Sequence, residues 1–169
     1  EEDRWDTVNY IHAMSRGYQA RLLGPKVVPG RPSMGPPIFQ YTTYDGSAGI
    51  LKDYRGRANV LLVFFSWPDS LDRLSVLRDK YTKLQNLNTQ ILTVPMDEYS
   101  QAELAEFISE NAFPIVRDGW FEIKNSYALY RRTLTHPDIL GEGAIPKHME
   151  FLIDRFGYLR ARWIPEIDK

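Results

Sequence analysis

The segment 59–74 constrains the fold of this 169-residue chain more than any other. It begins with Val60–Phe65, an apolar run of strand length that would be buried on both faces, as in the middle of a sheet. A short turn follows, and Asp69 or Ser70 is placed to cap a helix after it. That helix carries apolar side chains at helical spacing, namely Leu71, Leu74, Leu77, Tyr81 and Leu84. The segment therefore predicts a central strand, a tight turn and a helix packed on the sheet.

The rest of the chain alternates strand patterns with helix patterns. Ser100 and Glu103 form a capping-box sequence at the start of one of these helices. The predicted strands are 39–43, 60–65, 89–95, 113–116, 150–154 and 158–163, and the predicted helices after the first are 70–86, from 100 onward and 123–131. This order predicts an α/β sandwich with a central mixed sheet.

The N-terminal part differs in composition. Residues 3–23 read as a helix, which Gly24-Pro25 would end. The segment 25–37 holds five prolines and predicts an extended linker outside the core. The chain is thus predicted to divide into a helix at 1–24, a linker at 25–37 and a compact domain at 38–169.

The absence of cysteine excludes a whole class of chemistry. Thiol–disulfide exchange needs a thiolate nucleophile, and this chain has no cysteine to supply one. The charges balance, with 21 basic and 22 acidic residues, so nothing favours nucleic acid or an anionic membrane as a partner. No apolar run reaches the roughly 18 residues of a transmembrane helix, and the acidic start does not read as a signal peptide.

Two further motifs support a family resemblance. Leu51–Arg57, with the sequence L-K-D-Y-R-G-R, precedes the central strand, and Phe151–Gly157, with the sequence F-L-I-D-R-F-G, forms a hairpin near the end. Together with Asn59–Phe65 they resemble the thioredoxin-like superfamily, in its redoxin branch of peroxiredoxin-like and Sco-like proteins. The resemblance implies a thioredoxin-like α/β sandwich, with the turn at Trp67 where the redox cysteines usually lie.

The turn departs from the pattern of that family. Sco-like proteins carry C-P-D-x-C here, and this chain keeps Pro68 and Asp69 but has Trp67 and Leu71 at the cysteine positions. Many redoxins also have a cis-proline three residues before the hairpin phenylalanine, lying against the turn. His148 occupies that position, so the resemblance implies that it approaches Trp67 and Pro68.

The first helix resembles a different family. Glu2–Ile11 is similar to the last helix of a c-type cytochrome, although the chain lacks the C-x-x-C-H haem attachment. This resemblance implies a piece of a longer cytochrome–redoxin fusion, of the kind called copper resistance protein D. Such a protein would be bacterial, periplasmic or otherwise extracytoplasmic, and membrane-anchored outside this chain.

Two functional hypotheses follow, and neither is enzymatic; a third is a thiol–disulfide oxidoreductase family member that has no activity in this chain. The first is a redox-inactive binding module with no cofactor, which contacts a protein partner, a ligand or the upstream cytochrome-like domain. Its surface would comprise Trp67, Pro68, Asp69, Ser70 and His148. The second is a copper-handling domain of Sco-like descent, with His148, Met149 and Met96 as ligands and Asp97 or His136 as further partners.

Other readings of the same residues stay open. Asp69 with His148 could form an acid–base pair, although capping of the following helix explains the position of Asp69 fully and is the favoured reading. Ser66 or Ser70 could replace cysteine as a nucleophile, but the chain has no G-x-S-x-G elbow. Aromatic residues could extend the binding surface near the turn, and the candidates are Tyr44, Trp120 and Phe121.

Overall fold

Strands and helices alternate along the chain as the sequence pattern predicts. The structure is a computed structural model that describes residues 2–31, 34–110, 113–131 and 146–168. The helices are α1 (Glu2–Arg21), α2 (Leu71–Asn86), α3 (Ala105–Glu110) and α4 (Trp120–Ser126), with 3-10 turns at Leu51–Tyr54 and Ala128–Arg131. The strands are β1 (Gln40–Thr43), β2 (Ala48–Ile50), β3 (Asn59–Phe65), β4 (Thr89–Pro95), β5 (Val116–Asp118), β6 (His148–Ile153) and β7 (Leu159–Trp163).

The central sheet has four strands in the order β4-β3-β6-β7. Strand β3 is parallel to β4 and antiparallel to β6, and β6 continues into β7 through an antiparallel hairpin. The interior of β3 is apolar because helices and the segment 22–38, called the arm below, cover its two faces. The predicted α/β sandwich with a mixed central sheet is confirmed.

A second, smaller sheet contains a strand that the sequence reading missed. Its order is β2-β1-β5, and residues 48–50 of β2 follow the Asp45-Gly46 turn. The predicted strand 113–116 is shifted, since regular pairing with β1 starts at Val116 and Ile115 forms only an isolated bridge to Thr93. This bridge connects the small sheet to β4.

Helix α3 begins later than the capping-box sequence suggested. The box itself forms, because Ser100 N donates to Glu103 Oε2 at 2.8 Å and Glu103 N donates to Ser100 Oγ at 3.2 Å. The residues between the box and Ala105 form turns, and regular helix follows them. The local hydrogen bonding was predicted correctly, and the helix boundary was not.

Two apolar cores lie on opposite faces of the central sheet. Alternate side chains of β3 enter different cores, because successive residues of a strand point to opposite faces. Leu62 and Phe64 lie in the core shared with α4 and the arm, while Val63 and Phe65 lie in the core beneath α2 and α3. The turn 66–70, which follows β3, therefore begins between the two packed cores.

The segment predicted as a linker outside the core is partly built into it. Met34 is buried, and its carbonyl accepts a hydrogen bond from Leu159 N at 2.8 Å. Gly24 O accepts another from Arg162 N at 2.9 Å. The proline-rich composition indicated an extended backbone, but an extended backbone can also satisfy the N–H groups of an outer strand. The division at residues 24 and 37 remains a prediction.

Among the side chains of α1 whose burial the structure describes, the fully buried one lies in the last turn. Ala20 in α1 and Leu23 just after it belong to the core. Tyr10, Met14 and Tyr18 of α1 are exposed. Within the ranges that the structure describes, no helix combines the length and apolar character needed to cross a bilayer.

Candidate functional site

The turn after β3 is held in shape by a buried serine. Ser70 Oγ accepts a hydrogen bond from Ser66 N at 3.2 Å and donates one to Lys147 O at 3.2 Å. Ser66 N also donates to Lys147 O at 2.9 Å, which ties the turn to the residue before β6. Ser70 precedes α2, but its hydroxyl makes no capping bond to the helix. This serine is therefore structural, and it is not exposed for nucleophilic attack.

Trp67 is half-buried beside a group of aromatic side chains. Its indole lies 5.3 Å from the ring of Phe107, measured between centroids. Its backbone N–H donates to Tyr99 Oη at 2.8 Å, and the Tyr99 ring stacks on Phe65 at 6.4 Å. Tyr44 donates its hydroxyl to Tyr99 O at 3.2 Å. The peptide bond between Trp67 and Pro68 is cis.

The outer side of the turn combines apolar groups with one ion pair. Pro68 is exposed, and Leu71 at the start of α2 is 39% exposed. Asp69 accepts from Lys147 Nζ at 2.9 Å, and both side chains face solvent. An exposed pair of this kind contributes less than about 1 kcal/mol to stability. The pair does orient one negative and one positive group beside the apolar patch.

His148 lies close to the turn but beneath the surface. It pairs with Phe65 across the sheet and is only 5% exposed. Its Nε2 lies 2.9 Å from Glu150 Oε1, and its ring meets the edge of Trp163. Among the described residues, its Nδ1 has no hydrogen-bond partner. Because Asp69 binds Lys147 instead, the predicted Asp69–His148 pair does not form, and His148 does not contribute to an exposed surface.

A buried ion pair that the sequence reading missed lies next to His148. Glu150 receives two hydrogen bonds from Arg73 of α2, Nε to Oε1 at 2.6 Å and Nη2 to Oε2 at 2.8 Å. The Arg73 guanidinium also lies 4.6 Å above the ring of Trp163. Burial raises the pKa of Glu150, but the hydrogen bonds and charges of Arg73 and His148 outweigh it and hold the pKa below its usual value. Glutamate in the apolar sequence of β6 was the only available signal for this pair.

The predicted copper ligands are not brought together. His148 and Met149 are neighbours on β6, so they point to opposite faces of the sheet. Met149 and Met96 are buried in the core on the far face from His148. The described residues contain no cluster of three or more histidine or carboxylate side chains arranged for a metal ion. His136 lies outside the described residues.

The other aromatic candidates differ in how far their side chains are exposed. Phe121 is 53% exposed, whereas Trp120 packs partly against the core. Lys124 lies 4.9 Å from the Trp120 ring centroid and donates to Met96 O at 2.7 Å, just beyond β4. Tyr44 supports Tyr99 and is itself half-buried. Of this set, only Phe121 presents a largely exposed ring.

A protein-family model matches most of this chain. The AhpC/TSA family model matches residues 36–162. No curated protein matches the sequence closely enough to count as a relative. The family match begins just before β1 and ends within β7.

Several solved structures share the fold of this chain. A thiol:disulfide interchange protein of the thioredoxin family from Chlorobium tepidum TLS matches with a TM-score of 0.62 and 13% identity, covering 78% of this chain and 86% of that one. StoA from Bacillus subtilis matches with a TM-score of 0.56 and 22% identity, covering 79% and 90%. Reduced 2-Cys peroxiredoxin from Plasmodium vivax matches with a TM-score of 0.57 and 16% identity, covering 78% and 83%. At such identities the likeness shows the fold alone.

Proposed function

Because the chain belongs to the AhpC/TSA family and has no cysteine, we propose that it is a redox-inactive thioredoxin-like domain that binds a protein partner through its turn. The binding surface comprises the exposed parts of Trp67, Pro68, Asp69 and Leu71, and it is called the turn surface below. The observation that carries this proposal is the combination of an ordered turn with apolar groups on its outer side.

The chemistry of the turn surface suits recognition of another protein. An aromatic group resting on a rigid base, with a charged pair at its margin, has the arrangement of an interface core with a polar rim. Phe107 packs against the Trp67 ring and Tyr99 holds the Trp67 backbone, so less side-chain entropy remains to be lost when a partner binds. Asp69 and Lys147 provide one charge of each sign beside it.

Replacing Trp67 with alanine is expected to weaken partner capture by about tenfold or more, since buried tryptophans at interface centres commonly contribute over 1–2 kcal/mol. The measurement is quantitative affinity capture from an extracytoplasmic fraction, followed by titration of the captured protein against purified variants. Leu71→Asp is expected to weaken the same interaction.

Leu87→Ala is the matched control, because Leu87 is an exposed leucine at the opposite end of α2. Its affinity should equal that of the unaltered protein. A partner that binds all three variants equally would contradict the proposal for the turn surface, and circular dichroism of each variant checks that it has folded.

Insulin reduction by this protein is expected to stay at the background rate. Reducing a disulfide requires a thiolate to attack sulfur and form a mixed disulfide, and no side chain of this sequence can do so. A thioredoxin assayed at the same concentration is the positive control. Turnover above background in a preparation free of other proteins would contradict redox inactivity.

We further propose that the domain operates outside the cytoplasm of a bacterium, as part of a larger protein with an upstream cytochrome-like domain. The exposed side of α1, with Tyr10, Ile11 and Met14, supports this placement because it leaves apolar surface available to another domain. The parent reading frame tests it. A C-x-x-C-H motif and membrane spans upstream are expected, and their absence would contradict the fusion.

A further inference from the structure

A cavity of about 190 Å³ lies at the opposite end of the central sheet from the turn surface. Three parts of the chain form it: the arm, the 3-10 turn before β3, and the hairpin end of β6. Its apolar lining comprises Pro36, Ile38, Leu51, Val60 and Ile153, together with the ring of Tyr54.

The position of the cavity separates it from the proposed partner site. Val60 is near the start of β3 and Phe65 is at its end, so four residues of extended strand lie between them and five residue steps separate them. At roughly 3.3 Å per residue, this corresponds to about 17 Å. Substitutions in the cavity can therefore be made without touching the turn.

The interior of the cavity is apolar and preformed. Leu51, Val60 and Ile153 are buried core residues, so they provide a fixed floor. An engineered apolar cavity of about 150 Å³ stays dry and binds benzene. By that measure, this cavity can take an apolar group of about six to eight carbon atoms.

The mouth of the cavity carries an excess of positive charge. Lys52 and Arg55 line it, and in the part of the chain that the structure describes neither has a carboxylate within ion-pairing distance. Asp154 is the acidic lining residue, but its Oδ1 accepts hydrogen bonds from Phe156 N and Tyr158 N, each at 3.0 Å. Its Oδ2 lies 3.7 Å from Arg160 Nε. The two lining cations thus remain available to an anion.

The hairpin turn places Arg55 beside the cavity. Gly157 has a φ of +88°, and a Cβ at this position would lie 3.3 Å from Arg55 Cδ. A side chain here would be strained and would crowd the arginine. Gly56 N also donates to Arg155 O at 2.6 Å, which links the two turns. The backbone therefore holds the cation close to the apolar opening.

We propose that this cavity binds a small amphipathic monocarboxylate, with its apolar group of six to eight carbons inside and its carboxylate at Lys52 and Arg55. Charge complementarity favours an anionic headgroup, and the apolar lining favours a hydrocarbon group on the ligand. The site is independent of the partner-binding proposal.

Titration of the full chain with sodium octanoate, followed by methyl NMR, tests the proposal. Saturable shifts are expected at the methyl groups of Ile38, Leu51, Val60 and Ile153, with a Kd of roughly millimolar or tighter. 1-Octanol, which lacks the charge, is expected to bind about threefold to tenfold more weakly. Octylammonium is expected to bind more weakly still, because it repels the two cations.

Two variants and a control complete the experiment. Arg55→Gln and Lys52→Gln should each weaken octanoate binding severalfold without shifting the octanol affinity, whereas Lys80→Gln on α2 should change neither. No saturable shift with octanoate, equal affinities for octanoate and octanol, or shifts confined to other methyl groups would each overturn the proposal.

Discussion

Replacing Arg162 with alanine is expected to lower the free energy of unfolding by about 3–5 kcal/mol. Arg162 is fully buried, and its guanidinium donates to the carbonyls of Ala20 at 3.3 Å and Tyr130 at 3.1 Å, and also to that of Leu23. Without it, three carbonyls lose a charged donor, and each unsatisfied buried group costs about 1–3 kcal/mol. Urea unfolding measures the change.

Hydrogen exchange gives this prediction a local signature. Ala20 lies in the last turn of α1 and Leu23 at the start of the arm, so amides there should exchange faster in the variant than in the unaltered protein. Arg160→Gln is the control, because Arg160 lies on the same strand but pairs only loosely with Asp154, at 3.7 Å. If the two variants lose equal stability, Arg162 does not hold the arm in place.

Replacing Glu150 with alanine is expected to cost about 2–3 kcal/mol. The change leaves Arg73 and His148 without their shared acceptor. This cost is below that of breaking a fully buried pair because about a third of the Arg73 side chain is exposed, so the released guanidinium can reach water. Urea unfolding of both proteins at neutral pH gives the difference.

Two comparisons separate this effect from ordinary surface electrostatics. Asp69→Asn breaks the exposed pair with Lys147 and should cost less than about 1 kcal/mol. The double variant Arg73→Met with Glu150→Met removes both charges and should recover much of the lost stability. A Glu150→Ala protein as stable as Asp69→Asn would contradict the importance of the buried pair.

The pH dependence of stability follows from the lowered pKa of Glu150. In the unfolded chain a glutamate titrates near its ordinary pKa of about 4.3. The pKa of Glu150 is lower in the folded protein. The charged Glu150 carboxylate therefore contributes its full stabilisation of the fold above the unfolded pKa, and this contribution is lost as the pH falls through the folded pKa. The stability difference between the unaltered protein and Glu150→Gln should therefore shrink below about pH 4.

Much of the fold could be predicted because its signals are local. The apolar run of β3 and the capping box at Ser100 depend on residues close in sequence, and both were found where expected. Strand β2 was missed because three residues next to a turn carry no alternation to recognise. Its pairing with β1 depends on geometry that the turn supplies.

The candidate site was predicted less well because its contacts span large distances along the chain. Arg73 and Glu150 are 77 residues apart, and nothing local indicates that they meet. The resemblance implied that His148 approaches Trp67 and Pro68, and the structure pairs it with Phe65, the last residue of β3. It could not show that the side chain is buried against Glu150, because a strand position fixes a face and not a neighbour.

The arm lies along β7, and this contact determines which N-terminal truncations of the domain leave β7 covered. A fragment starting at residue 38 would lack Gly24 and Met34, whose carbonyls accept from Arg162 N and Leu159 N. Strand β7 would then be an open edge with unpaired donors, and such edges template pairing between molecules. We therefore expect a fragment without the proline-rich arm to aggregate through the edge of β7, and a fragment that retains the arm to stay soluble.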